Sequence, residues 1–123
     1  MKKIWVFVAI SGALTIIMGA LSAHLFKGLL TNADVIRIQT AATYQMYHTL
    51  VLLILAVYHS SSAISAIQQS CWLFAMGIVL FSGSLYVYTF SDIQFLVFVT
   101  PIGGLLLILG WLSLIKLVKQ SNF

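Results

Sequence analysis

Carboxylates are nearly absent: Asp34 and Asp92 are the only acids in the chain, against six lysines and arginines. Charged residues make up 7% of the sequence, far below the roughly 25% of a water-soluble domain. The chain therefore cannot cover itself with a hydrated surface. Cysteine is equally scarce. Cys71 stands alone, which excludes an intrachain disulfide and leaves apolar packing as its expected role. A basic stripe is missing too. The cations sit at the chain ends and beside one loop, so the net charge of +4 does not make a nucleic-acid surface.

What the chain has is apolar length. Hydrophobic residues are 62% of its 123, enough for about four spans of about 20 residues with short loops and no separate soluble domain. The expected class is all-α: an integral membrane protein built as a four-helix transmembrane bundle. Residues 1–123 form one transmembrane domain with spans near 4–26, 33–59, 71–90 and 92–117. The uncharged run from Ile4 to Phe26 follows Lys2 and Lys3. It exceeds the about 7 to 15 apolar residues of a secretory signal, so it is expected to remain as a span.

The second hydrophobic maximum, Met46 to Tyr58, is too short to cross alone. The polar stretch "RIQTAATYQMYHTL" (37–50) must therefore be helical as well, with Thr31 and Asp34 as a capping pair. "SSSAISAIQQS" (60–70) reads as a short polar connection, and "SDIQ" (91–94) has the form of a capping box opening span four. There Asp92, like Asp34, would complement the positive end of a helix dipole. Pro101 removes a backbone donor inside span four and clashes with the Val97 carbonyl. A kink is expected there, loosened by Gly103 and Gly104, with Thr100 available to the freed carbonyls.

Four spans bring Lys2, Lys3, Lys116 and Lys119 to one face and Lys27, Arg37, Asp34 and Asp92 to the other. The positive-inside rule then places the protein in the bacterial cytoplasmic membrane with both termini in the cytoplasm.

On a helix at 100° per residue, Arg37, Ala41, Tyr44, Gln45, His48, Leu52, Leu55 and His59 fall on one side. Polar groups facing lipid are costly, so this stripe should face other helices or a wet crevice. The candidate intramembrane polar site is Arg37, Tyr44, Gln45, His48 and His24. It has two readings: a proton-sensitive or ligand site at His48, or interhelical hydrogen bonds that fix the bundle, and the second is favoured. The three histidines lie at different depths, and only Cys71 could join them. Haem, zinc and copper are therefore not expected, and neither is any other cofactor.

Small residues recur seven apart: Gly12 and Gly19, Gly77 and Ser84, Gly103 and Gly110. Seven residues are nearly two turns, so each pair shares a helix face and lets a neighbour approach. "FSGS", with Ser82, Gly83 and Ser84, reads as packing first, with a hydroxyl-lined path as the rival.

"GALSAH" (19–24), "YQMYH" (44–48), "LFSGSLY" (80–86), "TPIGG" (100–104) and "LGW" (109–111) resemble the small bacterial inner-membrane family of unknown function typified by YgdD and YwdK. The resemblance spans all four segments. It implies a four-helix membrane architecture and no established activity. One departure is Ser22, where the family pattern more often has glycine.

Three functions are open to these residues. The favoured one is a compact module without catalysis, packed in lipid against itself or a larger membrane complex, since no nucleophile, base and orienter fall in a usable arrangement. The alternative is an oligomeric transporter with a polar site around His48. Small multidrug exporters share this length and span number, but they depend on a membrane-embedded carboxylate and both acids here are at helix ends. An enzyme acting on lipid or quinone would have to use Tyr44, Tyr47 and His48.

Overall fold

A computed structural model describes residues 1–62 and 64–121. Its elements are helical throughout: α1 (Lys2–Ala23), α2 (Phe26–Leu29), α3 (Asn32–Ser61), α4 (Ser65–Ser91), α5 (Leu96–Ser113) and α6 (Ile115–Gln120). Four segments are long and apolar enough to cross a bilayer: α1, α3, α4 and the run Leu96–Gln120 that joins α5 and α6. The chain is an all-α membrane protein.

Local chemistry sets the helix ends. The Asp34 amide donates to Thr31 Oγ1 (3.2 Å), capping α3. The Asp34 carboxylate turns back to Thr31, completing the expected capping pair, and also takes Arg37 Nη1 one turn on. The polar connection expected over 60–70 is mostly helix. α4 begins at Ser65, and Ser70 is fully buried, so two further turns join this span.

The capping box expected at 91–94 does not form. Ser91 is the last residue of α4 and its hydroxyl donates back to the Val87 carbonyl (2.6 Å). Asp92 follows in the left-handed region (φ 52°, ψ 23°), and its amide closes onto the Tyr88 carbonyl. Aspartate tolerates that conformation better than most residues. It therefore ends α4, at the negative end of a dipole, instead of opening the next helix. Residues 93–95 make one tight turn, with the amides of Leu96, Val97 and Phe98 each bonded three residues back.

α5 then runs unbroken through Pro101. Thr100 Oγ1 donates to the Leu96 carbonyl (3.2 Å), not to that of Val97, which Pro101 leaves without its usual donor. The helical run changes register at Leu114, where α5 gives way to α6.

Packing follows chain order: α1 lies on α3, α3 on α4, and α4 on α5. α3 and α4 thus form the centre, and α1 and α5 flank them. Phe74, Ile38, Leu52, Ile67 and Cys71 are the largest fully buried apolar side chains. Both termini come to one end of the bundle. There Lys116 Nζ donates to Gln69 Oε1 (3.1 Å), the Ala66 amide donates to Gln120 Oε1 (3.3 Å), and Met1 to Ile4 lie beside Gln68 and Trp72.

The glycines divide into two groups. A Cβ on Gly103 would run into the backbone N and Cα of Phe81, one on Gly77 would lie 2.6 Å from Leu107 Cδ2, and one on Gly110 would lie 2.9 Å from Phe74 Cε1. These three let α4 and α5 approach closely. Gly104 is in ordinary contact range of the Phe81 ring. Gly12, Gly19 and Gly83 were expected to serve packing too, but a Cβ there would meet nothing within 4 Å. They are half-buried, and Gly19 and Gly83 border crevices whose far walls, α3 and α1, stand off from them.

Candidate polar site at the middle of the bundle

α3 turns Gln45 and His48 inward, 3% and 5% exposed, about midway along its length. Their burial follows from the helical period, because Ala41, Leu52 and Leu55 on the same side are buried while Ile54 and Val57 face outward.

Gln45 joins three helices. Its Oε1 accepts from the Tyr86 hydroxyl of α4 (2.6 Å), and its Nε2 donates to Ser11 Oγ (3.0 Å) and the Ser11 carbonyl (3.2 Å) of α1. The Ser11 hydroxyl pairs with Thr49 Oγ1 (2.7 Å), and Thr15 Oγ1 donates to the Ser11 carbonyl (2.8 Å). In hydrocarbon no water competes for these groups, so each bond replaces a costly unsatisfied alternative.

His48 looks the other way, toward α5. Trp111 Nε1–H donates to His48 Nε2 (3.2 Å), and His48 Nδ1 lies 2.6 Å from the Tyr44 carbonyl. An indole N–H can only donate and a carbonyl can only accept, so this geometry fixes the neutral ring with its proton on Nδ1. A second proton on the ring would set donor against donor at Trp111. Aromatic rings enclose His48: Tyr44 stacks on it (6.2 Å, 16°), Phe74 is tilted at 5.8 Å, and Trp111 meets it edge-on at 6.1 Å.

The remaining candidates lie elsewhere. Arg37 is held by Asp34 and sits over the Tyr88 ring, 4.7 Å from its centroid, about two to three turns toward the start of α3 from Gln45 and His48. His24 is exposed at the C-cap of α1, and among the described residues no side-chain contact joins it to His48. It falls outside the site because α1 ends there, at the bundle surface. Tyr44 is 45% exposed and Tyr47 58%. Among the described residues, no three His, Cys, Asp or Glu side chains converge.

Hydroxyls clamp the rest of the interior. Ser82 donates to the Ala41 carbonyl (2.8 Å), Ser84 pairs with Thr100 (2.6 Å), and Ser70 pairs with Ser113 (2.6 Å). Ser22 is fully buried and turns back to the Gly19 carbonyl (2.8 Å). The sequence does not mark Ser11 or Thr49, and it marks Tyr86 and Trp111 only as members of the "LFSGSLY" and "LGW" motifs. Their spacing could have flagged Ser11 and Thr15 as one helix face, but nothing in it names their partners.

Comparison with known proteins agrees with this architecture. A family model described as a protein of unknown function (DUF423) matches residues 18–104. A UPF0382 membrane protein of Staphylococcus aureus is 38% identical over 115 residues, covering 94% of this chain and 93% of the relative. One of Haemophilus influenzae is 38% identical over 114 residues, covering 92% and 90%. The UPF0382 inner membrane protein YgdD of Escherichia coli is 39% identical over 106 residues, covering 86% and 81%. No solved structure matches.

Proposed function

This chain belongs to the DUF423 family of membrane proteins, and from that premise we propose that it is a non-catalytic module of the bacterial cytoplasmic membrane. It acts through its helix faces, packed in lipid against further copies of itself or a larger membrane complex. Both termini lie in the cytoplasm, as the lysines at their shared end favour.

One observation carries this reading: the buried polar side chains are already spent on each other. Gln45 uses both ends of its amide and His48 both ring nitrogens. Among the described residues, every buried side-chain nitrogen and oxygen has a hydrogen-bond partner. A catalytic or proton-carrying group needs a free valence aimed at its substrate; a structural one needs the reverse. The name of the E. coli relative supports the inner membrane as the address.

The test is purification of the full chain from native membranes in mild detergent, followed by mass measurement of the intact particle. A stoichiometric complex or a defined multimer is expected. A solitary monomer that drives pH-dependent solute flux in proteoliposomes, with the flux abolished by His48→Gln, would overturn the reading.

A further inference from the structure

α3 and α5 both rest on α4 and meet each other where Trp111 bonds His48. Between them opens a crevice of about 570 Å³. Phe81 of α4 forms its floor. Tyr44 and His48 make one wall, and Pro101, Gly104 and Trp111 stand in the other. Its size lies within the range of small-molecule sites, and so does its character: apolar and aromatic, with a few polar groups.

One of those polar groups has hydrogen-bonding capacity to spare. The His48 nitrogens and the Trp111 N–H are committed to each other and to the Tyr44 carbonyl. The Tyr44 hydroxyl has no hydrogen-bond partner among the described residues, although its ring packs on Phe81 (5.3 Å between centroids) and on His48. Tyr44 lies two to three residues, roughly 4 Å, from the midpoint of α3. With that midpoint at the centre of a hydrocarbon core about 30 Å thick, the nearer headgroup oxygens are roughly 11 Å away along the membrane normal, and acyl chains carry no acceptor. An unpaired phenol there is unfavourable unless something dissolved in the membrane core accepts from it.

The partner must therefore be apolar enough to reside in the hydrocarbon, carry an acceptor oxygen, and present a flat face to aromatic walls. We propose that the α3–α5 crevice binds the ring of an isoprenoid quinone. The Tyr44 hydroxyl donates to a ring carbonyl, the Phe81 and Trp111 rings pack against the ring, and the isoprenoid tail leaves into the lipid. The quinone binds there without a redox step. Gly104 keeps the crevice open, since a side chain there would touch only the edge of Phe81 before filling the space. This goes beyond the packing role proposed above and would stand if that role failed.

The test uses Trp5→Phe with Trp72→Phe, so that Trp111 is the sole tryptophan and can be excited selectively, in phospholipid nanodiscs titrated with a decyl-chain ubiquinone analogue. Saturable quenching of Trp111 is expected. Tyr44→Phe should raise half-saturation about threefold to tenfold, the effect of one neutral hydrogen bond. Gly104→Leu should abolish the saturable component at an unchanged melting temperature. Quenching that rises linearly with quinone content and is the same in Tyr44→Phe overturns the proposal, because that is collision in the bilayer. Should Gly104→Leu fail to fold, the Tyr44→Phe comparison decides.

Discussion

Replacing Gly103 by alanine tests how closely α4 and α5 approach. An added Cβ would overlap the backbone of Phe81, which cannot rotate away as a flexible side chain can. Ordinary carbon contacts begin near 3.5 Å, so the helices would have to part locally by on the order of 1 Å. Separation there also loosens Leu107 over Gly77 and Phe74 over Gly110, because all three contacts lie on the same seam. Overpacking of this kind costs about 1–3 kcal/mol, and the rigid backbone partner places Gly103→Ala toward the upper end. Gly12→Ala is the matched control. Its Cβ meets nothing within 4 Å, so helix propensity alone should make it neutral or stabilising by up to about 1 kcal/mol. Both variants can be unfolded by titrating SDS into protein held in a mild detergent. Equal midpoints for Gly103→Ala and Gly12→Ala would refute the close seam.

Two further substitutions follow from named geometry. His48→Gln should cost no more than about 1 kcal/mol, because an amide can still accept from Trp111, and SDS titration against wild type checks it; a collapse of the fold would mean His48 does more than this bond. Asp92→Gly should stabilise the protein by up to about 1 kcal/mol, because glycine occupies φ 52° without strain, while Asp92→Val should destabilise it. Thermal scans of the two variants should move in opposite directions.

The inward face of α3 could be read in the sequence because burial follows the helical period: Gln45, His48, Leu52 and Leu55 recur on one side. Their partners could not. A serine or threonine in a membrane helix usually has a carbonyl of its own helix within reach, as Thr15, Ser22 and Thr89 do here. The sequence therefore does not distinguish them from Ser11, Ser70 and Ser82, which reach across to another helix. Spacing of seven marks a face but not what covers it, so Gly103 and Gly110 lie under a neighbour while Gly12 and Gly19 do not. "SDIQ" misled for a related reason: a capping box and a left-handed helix end use the same residue types, and the backbone at Asp92 decides between them. His24 shares the apolar run of α1 but lies where that helix stops.

The central claim is that the helix carrying Gln45 and His48 crosses the bilayer with those residues turned away from lipid. Oxygen accessibility of single spin labels placed in turn at residues 43 to 57, in a Cys71→Ala background in bilayers, measures this directly. The account predicts a 3.6-residue oscillation with minima at 45, 48, 52 and 55 and maxima at 47, 50, 54 and 57. High accessibility at 45 and 48, or a profile without that period, would contradict it.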